Sequence, residues 1–276
     1  FCFAFQIAGL LFFIQTCEAI SPQFVGAMCA TGVLNANPYG WPALILKIFC
    51  FFGSALWLTL NYADNMGKDY PLIRIKYGVL LCMAPLAVFE SVNLWLFFSG
   101  LEPDLIVSCC GSMFSVSAQG VAAQLSGIAP KSALKSLYLS GLLLAGAWGY
   151  RRMSRKGTLL FSLSAVTAFV ISLVSMISLI GLYIYEHPHH HCPFCMLKSG
   201  YNFVGYLLYI PMFLATAAAV SAGALTWCSR YQSIKNTAIL LENRLINISF
   251  GLFACFYVLT FAAVMRSNLT MAFWYA

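Results

Sequence analysis

Residues 158–184 read TLLFSLSAVTAFVISLVSMISLIGLYI, and no Asp, Glu, Lys or Arg interrupts them. A helix needs about 20 predominantly apolar residues to cross the hydrocarbon core of a bilayer, so this run predicts a transmembrane helix. Apolar runs of such length exclude the strands of a membrane β-barrel, which are about ten residues long and alternate in polarity.

Six further stretches on either side of this run meet the same criterion. We therefore expect an all-α bundle of seven transmembrane helices, forming a single membrane domain over residues 1–276. The predicted spans are residues 3–20, 41–60, 77–99, 133–150, 158–184, 202–227 and 246–265. The fourth is the weakest, because Lys135 shortens its apolar run.

The composition excludes a soluble enzyme and a disordered chain. Of the 276 residues, 61% are hydrophobic and only 8% are charged, whereas soluble domains carry about 25% charged residues. The net charge of +7 does not indicate nucleic-acid binding, because the basic residues lie in short clusters between apolar runs. Such clusters are how membrane topology is encoded, so the predicted partner is the lipid bilayer and not nucleic acid.

The distribution of Lys and Arg predicts the orientation of the chain. Ten of them lie in the loops at 61–76, 151–157 and 228–245, and only four lie on the opposite side. Because Lys and Arg collect in cytoplasmic loops, we expect a cytoplasmic amino end and an external carboxyl end. The external loops are then residues 21–40, 100–132 and 185–201, and we expect them to face the periplasm from a bacterial inner membrane.

Reactive side chains gather in the third external loop. Every histidine of the chain directly precedes the C-x-x-C pair of Cys192 and Cys195, and the four are His187, His189, His190 and His191. Imidazole and thiolate are the usual ligands of zinc and copper, and soft thiolates favour Cu(I). A C-x-x-C pair also suits thiol–disulfide exchange, because the pKa of its first thiol is lowered. A structural disulfide beside a solvated histidine run is the third interpretation.

The other two predicted external loops also carry sulfur-bearing residues. Cys29 lies in the first loop, and Cys109, Cys110 and Met113 lie in the second. A vicinal cysteine pair either forms a strained disulfide or offers two soft ligands. Since the inner loops carry no such motif, we predict one external site to which all three loops contribute.

Two charged residues lie deep within predicted spans, Lys47 in the second and Glu90 in the third. Ionisable residues in a membrane are costly, so they are paired or functional. One alternative is an ion pair between them, which would either steady the bundle or serve a proton path or a quinone head group. The other is that Lys47 extends toward the surface and leaves Glu90 protonated.

The third loop resembles the disulfide-forming membrane oxidoreductases of the DsbB type. In that family an acidic residue and a proline precede a C-x-x-C at the outer edge of a helix, close to a bound quinone. The matching residues, over about 186–205, are Glu186, Pro188, Cys192, Cys195, Tyr201 and Gly205. The resemblance implies that Cys192 and Cys195 pass electrons to a quinone. The chain differs from the family in having no second, well-spaced cysteine pair, so an oxidoreductase function would have Cys192 and Cys195 exchange electrons with the adjacent Cys109 and Cys110.

Three functions are therefore open. The first is metal handling, chiefly of copper, with Cys192, Cys195 and the four histidines as primary ligands and the partner a periplasmic or membrane metalloprotein under assembly. Cys29, Cys109, Cys110 and Met113 would be transfer or secondary ligands. The second is a quinone-linked thiol oxidoreductase, and the third is a non-catalytic membrane subunit of a respiratory or transport complex.

Overall fold

The computed structural model describes residues 2–102, 106–107, 129–154 and 157–269, and these residues form helices and turns without any strand. Six of the helices in this part of the chain are long and apolar enough to cross a membrane, which defines an integral membrane protein of the all-α class. In lipid a helix satisfies its own backbone hydrogen bonds, which is why such sequences form helices. The six are Cys2–Gln23, Gly40–Asn65, Ile73–Ser99, Gly157–Tyr185, Val204–Cys228 and Gln232–Arg266.

The chain divides into two compact units. The first consists of Phe1–Val107 and Ala217–Asn247, and the second of Ser108–Thr216 and Ile248–Ala276. The prediction of a single membrane domain stays a prediction.

The first unit is built around three long helices. Helices α1 and α4 both pack on α3, and the rings of Phe13 and Phe97 meet with centroids 5.8 Å apart. A short helix, α2, interrupts the predicted loop at 21–40. The bounds are Cys2–Ile20 for α1, Ala30–Leu34 for α2, Gly40–Asn65 for α3 and Ile73–Ser99 for α4.

The second unit begins with a helical hairpin of α5 and α6, which make extensive contact along their lengths. A π-helical turn at Met176–Ile180 separates α6 from the short helix α7. Two long helices follow, α8 and α9, and each contributes one part to each unit. The bounds are Pro130–Met153 for α5, Gly157–Ser175 for α6, Gly181–Tyr185 for α7, Val204–Cys228 for α8 and Lys235–Arg266 for α9.

Residues distant in sequence form one hydrophobic core of the first unit. It joins the end of α3 and the start of α4 to the end of α8 and the turn before α9. The buried members are Leu60, Ala63, Leu72, Leu225, Cys228 and Ile234. Beside this core the buried carboxylate of Asp64 accepts the N–H of Leu72 at 2.7 Å and pairs with Lys76 Nζ at 2.7 Å.

The predicted spans coincide with observed helices, but the helices extend further at several ends. Helix α9 begins at Lys235, well before the predicted start at residue 246, because residues 235–245 mix polar with apolar residues and contain neither Gly nor Pro. Helix α5 has 24 residues and reaches about 36 Å at 1.5 Å per residue. It is not among the six most apolar helices, because Lys135 and several small or polar residues lower its hydropathy.

Candidate functional site

The histidine and cysteine segment connects α7 to α8 in the second unit. Glu186 ends α7 in a left-handed conformation, with φ at 51°. Its Oε1 accepts two hydrogen bonds from Asn268, one from the backbone N at 3.0 Å and one from Nδ2 at 3.1 Å. The start of the segment is therefore fixed to residues that follow α9.

His191 is held by the π-helical turn at Met176–Ile180. Its Nδ1 lies 3.0 Å from the backbone oxygen of Ile177. A π-turn shifts carbonyls out of the regular helical pattern, which frees one for such a partner. Because a carbonyl only accepts, Nδ1 must carry the proton, and the neutral ring then has its lone pair on Nε2.

The environment of His191 favours the neutral ring. Burial lowers the pKa of His191, the hydrogen bond to Ile177 opposes this shift, and the neighbouring His189 adds to it. A neutral imidazole with one nitrogen donating to a carbonyl is the form in which histidine binds metals or accepts a proton.

The two thiols of the C-x-x-C pair lie side by side. The Sγ atoms of Cys192 and Cys195 are within 4.8 Å of one another, and both residues are buried, with 3% and 5% exposure. Both carry thiol groups and are not joined in a disulfide. A 3-10 turn at Cys195–Leu197 follows, closed by the N–H of Leu197 on the oxygen of Phe194 at 2.9 Å.

Two tyrosine hydroxyls hold the backbone of this pair. Tyr185 donates to the oxygen of Cys192 at 2.6 Å and accepts the N–H of Met196 at 2.9 Å, so one hydroxyl bridges both ends of the C-x-x-C turn. Tyr209, on α8, donates to the oxygen of Pro193 at 2.9 Å. The turn is thus hydrogen-bonded to the helix before it and to the helix after it.

Glycine at position 205 allows α8 to approach the turn. A Cβ atom there would lie 2.7 Å from both Leu197 Cδ2 and Met196 Cγ, and 3.1 Å from the backbone carbon of Met196. Distances under 3.0 Å do not occur for real Cβ atoms without movement of the neighbours. The absence of a side chain at Gly205 therefore permits the close contact between α8 and residues 192–197, which we call the thiol turn.

Tyr201 is the third tyrosine of this neighbourhood. Its ring lies 4.7 Å from that of Tyr185. Burial raises the pKa of Tyr201, and its electrostatic interactions with Cys195 and Cys192 raise it further. The hydroxyl therefore stays protonated and can act only as a neutral hydrogen-bonding group near the thiols.

The four histidines occupy different environments. His187 and His189 are exposed, and the backbone N–H of His189 donates to His187 Nδ1 at 3.3 Å. His190 is half-buried with its ring 4.2 Å from that of Tyr185. Across the described ranges no histidine nitrogen joins the thiols of Cys192 and Cys195 in a cluster of ligand atoms within 4.8 Å. The structure brings the thiols together, and the histidine ligands stay a prediction.

The remaining predicted sulfur ligands belong to other segments of the sequence. Cys29 belongs to the first unit, where it is buried directly before α2. Cys109, Cys110 and Met113 lie outside the described residues. The prediction of one site shared by three loops therefore stays a prediction.

The first unit contains the predicted pair of intramembrane charges. Lys47 Nζ lies 2.7 Å from Glu90 Oε1, so the ion-pair alternative is the correct one. The other carboxylate oxygen accepts from Gln6 Nε2 at 2.7 Å. Sequence reasoning missed Gln6, although it is the only amide or charged residue among the first fourteen. It also missed Tyr185, Tyr209 and Ile177, whose roles depend on backbone geometry.

Comparison of the chain with protein-family models, curated proteins and solved structures finds no significant match. The interpretation of the site therefore comes from its residues and geometry.

Proposed function

We propose that this protein binds copper(I) between Cys192 and Cys195 at the non-cytoplasmic face of a bacterial inner membrane and delivers it to a metalloprotein. The single observation that supports this function is the pair of buried thiol sulfurs within 4.8 Å of one another. Two metal–sulfur bonds of about 2.3 Å each bring two sulfurs to at most about 4.6 Å apart. The upper bound of 4.8 Å on the separation of the two sulfurs is close to this value, so a small movement lets the pair share one ion.

Burial favours a metal over other uses of the pair. A thiolate is costly in a buried site unless a cation compensates its charge. Buried thiols are also poor nucleophiles toward a protein disulfide. Soft thiolate ligands select Cu(I), with zinc as the competing ion.

The histidine segment supplies the proposed additional ligands. His191 is neutral with its lone pair on Nε2, which is the form that coordinates metal. His187, His189 and His190 are the further primary candidates, and Cys29, Cys109, Cys110 and Met113 the secondary ones. The proposed partner is a periplasmic or membrane metalloprotein under assembly.

We propose seven spans, with α5 as the seventh, and with the amino end cytoplasmic. In support, α5 is long enough to cross a bilayer, and both of its ends carry basic residues that can reach the interface. The bias of Lys and Arg toward the loops at 61–76, 151–157 and 228–245 supports the orientation.

The test is a copper titration of the protein purified in detergent under reducing, anaerobic conditions. Copper is supplied as Cu(I) buffered by a chromophoric chelator, and the bound metal is measured by elemental analysis. We expect roughly one copper per chain in the wild type. The variant Cys192→Ser/Cys195→Ser should retain less than about one-tenth of that amount.

The matched control is Cys255→Ser, because Cys255 is exposed on α9 and belongs to no motif. It should bind copper like the wild type. Equal copper in the double serine variant and the wild type would refute the function. A parallel titration with zinc decides the metal, and binding of zinc in preference to copper would overturn the choice of copper.

The second candidate is a quinone-linked thiol oxidoreductase. The same proximity favours it, because a small movement brings the two sulfurs to the disulfide length of about 2.05 Å. Two thiols of a substrate would lose two electrons and two protons to the Cys192–Cys195 disulfide, and the reduced pair would pass them to a quinone to form quinol. Oxidation of a dithiol peptide with loss of quinone absorbance, abolished by Cys195→Ala, would establish this reaction.

The third candidate is a non-catalytic subunit of a respiratory or transport complex. A variant with all four histidines changed to Ala separates these possibilities. If it binds copper and oxidises dithiols like the wild type, the histidines have no role in either function. Co-purification with respiratory or transport subunits, together with an absence of bound copper and of thiol oxidation, would favour this third function.

A further inference from the structure

Three helices of the first unit bring polar side chains together within their apolar lengths. These are Gln6 on α1, Lys47 on α3 and Glu90 on α4, and we refer to them as the Gln6–Lys47–Glu90 cluster. Lys47 and Glu90 are 8% and 1% exposed. Each carboxylate oxygen of Glu90 accepts one hydrogen bond, Oε1 from Lys47 Nζ at 2.7 Å and Oε2 from Gln6 Nε2 at 2.7 Å.

Lys47 and Gln6 have more N–H bonds than the two that Glu90 accepts. An ammonium group has three N–H bonds and a side-chain amide has two. Glu90 takes one from each, and among the described residues no other acceptor lies within hydrogen-bond distance of Lys47 Nζ or Gln6 Nε2. Lys47 Nζ also lies 6.0 Å from the centroid of the Phe13 ring. Buried donors are costly unless an acceptor meets them, so the cluster is suited to an additional oxygen ligand.

An open cavity at the surface of α1 borders Gln6 of the cluster. It has a volume of ≈ 570 Å³ and is lined by Cys2, Ala4, Phe5 and Gln6. This volume lies in the range of small-molecule sites, which are mostly apolar with a few polar groups that orient the ligand. Gln6 belongs to both the cavity and the cluster, so a ligand in the cavity would meet the cluster through this amide.

The depth of the cluster restricts the chemistry of the ligand. Lys47 lies seven residues from the Gly40 end of α3 and Glu90 nine residues from the Ser99 end of α4, which is about 10 and 14 Å at 1.5 Å per residue. A ligand at this depth must be lipid-soluble. The charges of Lys47 and Glu90 cancel, so a neutral acceptor fits better than an anion, which Glu90 would repel.

We propose that the Gln6–Lys47–Glu90 cluster is a binding site for a carbonyl oxygen of a lipid-soluble molecule that enters from the bilayer along α1. Lys47 and Gln6 each donate a hydrogen bond to this carbonyl, and Glu90 orients both donors. The carbonyl can come from the ring of a quinone or from the ester group of a phospholipid. The proposal does not depend on copper binding by Cys192 and Cys195.

A second ion pair of the same unit provides a matched control. Lys76 Nζ lies 2.7 Å from Asp64 Oδ2 and 3.3 Å from Asn61 Oδ1, and Asp64 Oδ1 accepts the N–H of Leu72. This pair resembles the Lys47–Glu90 pair in length and burial but belongs to no cluster with Gln6. Removal of its charges tests the effect of losing an ion pair without touching the proposed site.

The experiment is native mass spectrometry of the full chain released from detergent, titrated with three probes. Decylubiquinone carries quinone carbonyls, phosphatidylglycerol carries ester carbonyls, and decylbenzene carries neither. We expect the wild type to retain one molecule of decylubiquinone or of phosphatidylglycerol and no decylbenzene. The variant Lys47→Met/Glu90→Gln should retain the same probe about tenfold less well, because it loses the charged donor.

The control Asp64→Asn/Lys76→Met should retain the probe like the wild type. If the Lys47 and Glu90 double variant fails to fold, the variant Gln6→Leu takes its place in the titration, because Gln6 is half-buried and does not belong to the ion pair. Retention of decylubiquinone identifies a quinone site, and retention of phosphatidylglycerol alone identifies a lipid site. Equal retention by the double variant, equal retention of decylbenzene or retention of no probe by the wild type would overturn the proposal.

Discussion

One hydroxyl group determines the geometry of the thiol turn. Tyr185 bridges the backbone oxygen of Cys192 and the backbone N–H of Met196, and it is 9% exposed. A phenylalanine would keep the ring contacts but leave two buried backbone groups without this partner. Each such bond contributes about 1 kcal/mol net.

We therefore predict that Tyr185→Phe weakens Cu(I) binding by about five- to 100-fold, which corresponds to about 1–3 kcal/mol. The measurement is competition against a Cu(I) chelator. The control is Tyr206→Phe, because the hydroxyl of Tyr206 makes no hydrogen bond within the described part of the chain. An unchanged affinity in Tyr185→Phe would show that the turn does not depend on this hydroxyl.

His191 has a structural role that can be separated from any role as a ligand. Its ring satisfies the carbonyl of Ile177 in the π-helical turn. We predict that His191→Ala lowers the stability of the metal-free protein by about 1 kcal/mol, because this carbonyl loses its partner.

The measurement is thermal unfolding without metal, and the control is the exposed His187, changed to Ala. This control should have a much smaller effect on the metal-free protein, because water can replace its exposed ring as the acceptor of the His189 N–H. Equal melting temperatures for His191→Ala and the wild type would contradict the structural role. A loss of copper affinity in His191→Ala beyond its loss of stability would add a role as a ligand.

The start of α8 depends on close packing against the thiol turn. At Gly205 a methyl group would lie 2.7 Å from two side-chain atoms of Leu197 and Met196. Overpacking of this kind costs about 1–3 kcal/mol. We predict that Gly205→Ala destabilises the protein by this amount and reduces copper retention, as measured by unfolding and elemental analysis.

A control for this substitution lies in the same segment. A methyl group at Gly200 would meet nothing within 4 Å, so Gly200→Ala should behave like the wild type. If both alanine variants retained full stability and copper, the contact between α8 and the turn would be unimportant.

Helix α5 provides a test of the number of spans. If it crosses the membrane, its two ends lie on opposite sides. We predict that a membrane-impermeant maleimide labels Ala129→Cys on intact cells, and that it labels Ser154→Cys only after the membrane is permeabilised. The parent chain gives the background from its own cysteines, and labelling of both added residues from the same side would exclude the seventh span.

The copper site should contribute to the stability of the whole molecule. A ligand that binds only the folded state stabilises it by about 2.7 kcal/mol at a concentration 100-fold above its Kd. We predict that Cu(I) raises the melting temperature of the wild type and of Cys255→Ser. It should leave Cys192→Ser/Cys195→Ser unchanged, and a rise in this variant would place the copper elsewhere.

Most of the helical architecture could be predicted from the sequence, because it follows from hydrophobicity alone. The run at 158–184 corresponds to the helical stretch Gly157–Tyr185, and the predicted span at 77–99 lies within Ile73–Ser99. The polar start of α9 and the short helix α2 were not predicted, because apolar length does not detect them.

The candidate site could be predicted in part. The pairing of Lys47 with Glu90 follows from the cost of an isolated charge in lipid, and the nearness of Cys192 to Cys195 follows from their spacing. The π-helical turn that receives His191 depends on local backbone packing, which no residue pattern specifies. For the same reason the sequence alone does not show that the hydroxyl of Tyr185, and not that of another tyrosine, bonds to the thiol turn.

The hydrophobic core of the first unit has a consequence for biosynthesis. Leu60 and Leu72 pack in one core with Leu225 and Ile234, which the ribosome adds some 150 residues later. At about 5–20 residues per second, this interval lasts roughly 10–30 s. During that time the core around Leu60 and Leu72 is incomplete. We therefore expect the nascent chain to be sensitive to membrane quality-control proteases, and a slowly translated message to yield less protein.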